Sequence, residues 1–365
     1  MSRILLLILP VFAMLLSACS TVEEKKPYDG PLFWPQPPDQ PRFAYETMLR
    51  SPADITIVPE EASLRETLTG KAAVSDKPVM DKPSAIVARL GKIYIADTGT
   101  NTIVVFDIPR RRVFRFGTRE PGILAKPAGL ALDQGMKVYV ADSKWRKVFV
   151  YDVLGLFLKT IGSPDDLERP TGVAVSRDGE RIYVVDRSYN ESDKHRVVVY
   201  DKEGKKLQVI GTRGSGDGQF NVPLQAAVAP DGTLYVLDSG NFRIQAFDRD
   251  GKFLRKFGDV GKEFGNFGRP RGIAVDDDGL VYVTDASFNN FQIFNPDGQL
   301  LLAIGQSSLE SNPGRYGMLN GIAVDETKRV YVVDQLYNKV EVIRRLTDSE
   351  GLKMLEESKK SADEK

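Results

Sequence analysis

Apolar and polar residues alternate along most of this chain in short runs broken by Gly, Asp, Asn and Pro. The runs are filled by β-branched and aromatic residues, a pattern that predicts strands and no helix. Six of the runs end in an aspartate shortly after an aromatic: Tyr94–Asp97, Tyr139–Asp142, Tyr183–Asp186, Tyr235–Asp238, Tyr282–Asp285 and Tyr331–Asp334. Successive aspartates are 45, 44, 52, 47 and 49 residues apart. A period of this size is one supersecondary unit, too small to bury its own apolar face, so the copies must pack on one another.

Each repeat has four predicted strands. The first is entered through Pro-x-Gly or a relative of it, as in Pro127–Ala131, Pro170–Ala174 and Pro270–Ala274, with weaker versions at Pro83–Val87, Pro223–Ala227 and Leu319–Ala323. The second carries the aspartate. The third ends in an aromatic and Asp, as in Val148–Asp152, Val197–Asp201 and Ile244–Asp248, and the fourth runs to a glycine, as in Phe157–Gly162 and Phe253–Gly258. Turns such as Arg249–Gly251 and Pro296–Gly298 join strands three and four with hairpin chemistry. Four antiparallel strands in each of six repeats predict an all-β fold, a six-bladed β-propeller. The sixth repeat has only three strands before its charged end. The missing fourth is expected from Arg42–Leu49, an N-terminal strand that completes the last blade and leaves no open edge.

The ends divide the chain further. Arg3 and the apolar run Ile4–Leu16 read as a signal peptide over 1–18, too short to span a membrane comfortably. Leu16–Cys19 resembles the lipobox of bacterial lipoproteins, and Cys19, the single cysteine, is the expected lipidation site. Ser20 behind it implies outer-membrane sorting, with the protein facing the periplasm or the cell surface. Residues 19–41 form an expected tether, with six prolines between 27 and 41; such a segment extends at about 3.1 Å per residue. The propeller is expected over 42–346, with one short rim helix capped by Ser63–Glu66. Residues 347–365, ten of nineteen charged, are expected to be a flexible tail.

Fifty basic and fifty acidic residues cancel, which argues against a general affinity for nucleic acid. The expected partners are the membrane through Cys19 and a protein or envelope component, and the expected state is a monomer. The loops joining strands two and three place an aromatic just after each repeat aspartate: Trp145, Tyr189, Phe242, Phe288 and Tyr337, with Asn101 in the first repeat and amides at Asn190, Asn241, Asn289 and Asn338. Loops between repeats add Arg169, Arg271 and Arg315, among other basic residues. Such a rim suits a sugar, peptide or protein surface; the same aromatics could instead pack on the next blade. The repeat aspartates would spread around a ring, so capping backbone N–H groups is their expected role rather than metal binding. No cofactor is expected. His195, the single histidine, reads as an exposed loop residue without a catalytic partner.

The fourth repeat, Tyr235–Asp248 followed by Gly251–Gly258, resembles the NHL repeat, and the resemblance extends over residues 42 to about 346. It implies the propeller fold. It does not specify function, because NHL-type propellers bind ligands, proteins or RNA and a few are enzymes. The peptide-amidating lyases among them use several histidines on zinc, which this chain lacks. The sugar lactonases use an early Glu-Gly-Pro, where this chain has Lys82–Ile86 without a carboxylate. The expected function is therefore non-catalytic binding by a lipid-anchored envelope protein; a metal-dependent hydrolase or lyase of the lactonase type is the alternative.

Overall fold

The computed structural model describes residues 32–57 and 74–363. Cys19, the signal peptide and the Ser63–Glu66 cap lie outside the described residues.

Six antiparallel sheets form the blades. Blade one comprises Pro83–Arg89, Lys92–Asp97, Thr102–Asp107 and Arg112–Phe116. Blades two to five begin at Pro127–Leu132, Pro170–Val175, Pro223–Val228 and Pro270–Val275, and blade six at Leu319–Val324. These first strands are the inner ring. Each packs beside the next, and Pro83–Arg89 meets both Pro127–Leu132 and Leu319–Val324, which closes the circle.

Strand two of each blade is a nearly unbroken apolar run because both of its faces are buried. Tyr94 and Ala96 point into the core shared with blade two, beside Val140 and Tyr151. Ile93 and Ile95 point the other way, into the core shared with blade six, beside Val333 and Val340. Alternation thus sends successive side chains to two neighbours, and no blade owns its core. The turns between strands three and four repeat a single device. Asp152, Asp201, Asp248 and Asn295 each accept two backbone N–H bonds of 2.8–3.1 Å from the turn they open.

The ring is closed by the N-terminal strand. Phe43–Leu49 pairs antiparallel with Lys339–Arg345, from Phe43↔Arg345 to Leu49↔Val340. Phe33–Trp34 adds a fifth strand outside it, pairing with Ala44 and Phe43. The last part of the expected tether is therefore built into blade six.

The tail also departs from expectation. Asp348–Asp363 is an α-helix rather than flexible chain. Thr347 and Glu350 form a reciprocal cap: the Glu350 carboxylate accepts from Thr347 N at 2.8 Å, and the Thr347 hydroxyl accepts from Glu350 N at 3.3 Å. The helix start is tied to blade six by Arg42–Asp348 and by Arg344–Glu350 at 2.8 Å. Leu346 and Met354 join Phe33 and Ala44 in a small apolar cluster. Charge composition suggested disorder, but this helix needs only one covered stripe and a cap.

Deleting Phe43–Leu49 should abolish soluble protein, because it opens the edge of Lys339–Arg345 and uncovers the blade-six core. Removing 348–363 should instead lower the melting temperature measurably and leave the fold intact by circular dichroism. Equal effects from the two deletions would mean that the strand does not close the ring.

Candidate functional site

Two loop sets share one face, the upper face: those from strand two to strand three, and those from strand four to the next blade. The repeat aspartates hold them together. The Asp142 carboxylate accepts N–H bonds from Lys144 and Trp145 in its own loop and from Ala125 and Lys126 ahead of strand one, at 2.7–2.9 Å. Asp285 binds Ser287, Phe288, Gly268 and Arg269 in the same way, and Asp334 binds Leu336, Tyr337, Gly317 and Met318. All six aspartates are fully buried. They are structural acceptors, as the sequence indicated; five of them clamp two loops rather than capping one turn, and Asp186 instead holds the segment entering strand one and Arg196.

A second anchor starts strand three. Arg196 donates to the Asp166 carbonyl at 2.7 Å, Arg243 to those of Gly216 and Gln219 at 2.8 and 2.9 Å, and Lys339 to those of Asn312 and Arg315 at 3.2 and 2.9 Å. These cations are committed to loop carbonyls. The recurring amides also have a backbone reason: Asn101, Asn289 and Asn338 have φ of 50–55°, a left-handed conformation that Asn tolerates. Asn289 further bridges blades, donating to the Gly317 carbonyl and accepting from Leu319 N.

The five predicted aromatics separate into two groups. Trp145 and Tyr189 are exposed. Tyr337 is half-buried, its hydroxyl donating to the Ser308 carbonyl at 2.8 Å in the preceding inter-blade loop. Phe288 is half-buried beside Gly268, and Phe242 packs on the core between blades four and five. Tyr337 and Phe242 fasten blades together, and Phe288 packs on the segment that enters its own blade. The same face carries further exposed apolar groups: Phe264, an inter-blade aromatic legible in the sequence as part of the rim, and Leu309, Val260 and Leu336, which sequence reading missed; Phe264 is 71% and Leu309 100% exposed.

His195 is buried rather than exposed. Its Nδ1 accepts from Val222 N at 3.0 Å and its Nε2 donates to the Tyr189 carbonyl at 3.2 Å, so the ring braces the long blade-three loop with one nitrogen and joins it to blade four with the other. Glu168 supports the same loop through Ser188 and Lys194, and these donors hold its carboxyl down at about 2.

The axis of the ring is a channel. Pro-x-Gly is explained there: a Cβ on Gly172 would lie 2.7 Å from the Leu224 carbonyl, and one on Gly272 2.6 Å from that of Asn320. Only glycine lets the inner strands approach this closely. Blade four departs from the pattern with Gln225, whose amide crosses to the Ala128 and Thr171 carbonyls, both at 3.1 Å. A cavity of about 260 Å³ is lined by all six inner strands and reaches Arg271 at one end and Arg177, Asp277 and Glu326 at the other. On the lower side the charges pair, Arg177 with Asp277 and Arg345 with Asp276 and Asp278.

The upper mouth is different. Arg169 and Arg269 immediately precede strand one of blades three and five. Arg271 is the second residue of its strand, and Arg187 follows the blade-three aspartate. Burial and the charge of Arg169 depress the basicity of Arg187; burial and the charges of Arg269 and Arg187 depress that of Arg271. The structure thus brings together two of the three predicted arginines. Arg315 is exposed in the 305–318 loop, four residues ahead of its strand. Among the described residues, no group of three or more His, Cys, Asp or Glu is placed to hold a metal ion.

This architecture defines the class: a six-bladed β-propeller carrying NHL repeats. A family model described as the NHL repeat matches residues 220–247 and 267–294, in blades four and five. The protein Brain tumor of Drosophila melanogaster is 27% identical over 146 residues, 39% of this chain and 13% of that protein, so the chain spans only a small part of this relative. Among solved structures, a streptogramin B lyase is similar at a TM-score of 0.55 and 13% identity, over 73% of this chain and 94% of that one. A gluconolactonase from Xanthomonas campestris is similar at 0.56 and 19% identity, over 83% and 98%. At these identities the likeness is one of fold.

Replacing Asp285 by Ala strands four N–H groups at a buried clamp and should cost about 3 kcal/mol or more of stability in urea unfolding. Asp201→Ala, which removes acceptors from an exposed lower-face turn, should cost about 1 kcal/mol. Equal losses at the two sites would show that the clamp contributes no more than an ordinary turn.

Proposed function

We propose that this protein is a lipid-anchored cell-envelope propeller that binds a protein or envelope component through its upper face without catalysing a reaction. The observation that carries the binding reading is the composition of that face. Large apolar side chains stand exposed on loops that are otherwise firmly held, with Phe264 and Leu309 the most exposed. Exposed apolar surface of this kind marks interaction sites, and clamped loops lose little further freedom on binding. The anchoring reading rests on the sequence around Cys19. An anchor of two or more acyl chains is stable where one is marginal.

The enzymatic alternative draws on the likeness to a lyase and a gluconolactonase. Against it, His195 spends both nitrogens on backbone groups, and the repeat aspartates spend their oxygens on loop N–H groups.

Two experiments test the proposal. Phe264→Ala and Leu309→Ala should each weaken capture of a crosslinked envelope partner tenfold or more, about 1.4 kcal/mol, without moving the melting temperature. Phe288→Ala should lower the melting temperature. Capture unaffected by the first two variants would remove the upper face from the reading. For the anchor, globomycin should cause the precursor to accumulate, and Cys19→Ser should remain unlipidated. Normal maturation under globomycin would end the lipoprotein assignment.

A further inference from the structure

We propose that the upper mouth of the channel is a recognition site for a compact multivalent oxyanion, phosphate or clustered carboxylates, held by Arg187 and Arg271 with Arg169 and Arg269. This deepens the reading of the upper face as a binding surface and rests on it only for the choice of face.

Three observations converge. First, none of the four guanidinium groups has a carboxylate within ion-pair distance or a hydrogen-bond acceptor among the described residues, whereas Arg196, Arg243 and Lys339 on the same face are fully engaged. Nearby carboxylates are already committed: Asp285 to four N–H groups, Asp186 to Arg196 and two N–H groups, and Glu168 to Ser188 and Lys194.

Second, Arg187 Nε is buried without a partner. Leaving a charged donor unsatisfied is costly unless something outside the chain completes it. Burial first, and then the neighbouring arginine charges, lower the basicity of Arg187 and Arg271, which an anion at the mouth would offset.

Third, the channel is narrowed below the mouth. Gln225 reaches from blade four to the Ala128 and Thr171 carbonyls of blades two and three, the second position of their strands, which is also the position of Arg271. One side of the channel is therefore partly covered at the level of Arg271. Planar guanidinium forks match the paired oxygens of phosphate and carboxylate, and several around one anion favour a multivalent one.

The test uses purified full-length protein in detergent, with inorganic phosphate, citrate and acetate added at matched ionic strength. Phosphate or citrate should raise the melting temperature above a chloride control, since a ligand of the folded state stabilises it; acetate should not. Titration with the effective anion should show Arg187→Gln and Arg271→Gln each weakening binding about tenfold or more, with Arg315→Gln unchanged. Without the anion, the Arg187→Gln/Arg271→Gln double variant should melt no lower than the parent, because it relieves like-charge repulsion. An equal shift from acetate, no shift from either multivalent anion, or a shift that the double variant retains would overturn the site. So would a double variant that melts lower without the anion, since the arginines would then be structural. Phe264→Ala should leave anion binding unchanged, so that failure of the anion site and failure of the partner surface register in different variants.

Discussion

The buried carboxylate at the end of each second strand is the constraint on which the upper face depends. In five of the six blades its two oxygens accept N–H bonds from the loop that follows and from the segment entering strand one, and in blade three Asp186 holds the entering segment and Arg196. One side chain thus fixes both loop sets of a blade at a single point. An ionised carboxylate is the right group, since it only accepts and offers about four lone-pair sites. Removed from water, it is tolerated only because those sites are filled.

This clamp explains why the loops can carry function. Loops that bind need not be mobile, and here their roots are held from below by aspartate and from the side by Arg196, Arg243 and Lys339. Between these fixed points the intervening residues are free to vary. Phe264 and Leu309 occupy such positions, facing solvent from a rigid base. The aromatics at the clamps divide: Phe288 and Tyr337 serve the scaffold, and Trp145 is exposed.

The basic residues of the upper face separate along similar lines. Those at the start of strand three are consumed by carbonyls of the inter-blade loops. Those beside the inner strands of blades three and five have no such partner and crowd one another at the axis. On the lower side, arginines and carboxylates neutralise in pairs. The two ends of the channel therefore differ in electrostatic character although the chain as a whole carries no net charge. Net charge reports on bulk affinity; a mouth only a few side chains wide is governed by which of them are paired.

What the sequence determined by itself was the periodic part. A repeated two-residue alternation, Pro-x-Gly entries and one aspartate every 44 to 52 residues specify four strands per blade, six blades and the closing strand near residue 43, because each follows from local period and counting. The helix at 348–363 was legible in principle through Thr347 and Glu350, but high charge masked a cap made by two residues three positions apart. Tertiary structure alone decided the rest. His195 reads as a loop residue until blade four supplies Val222 N to cover it. Tyr337 and Trp145 stand at equivalent positions in their repeats, and only the neighbouring loop decides that one is fastened and the other free. Arg187 and Arg271 are 84 positions apart and meet because blades three and five flank the same axis. Strand period is a property of adjacent residues, whereas burial and charge pairing depend on distance in space, which a linear pattern does not carry.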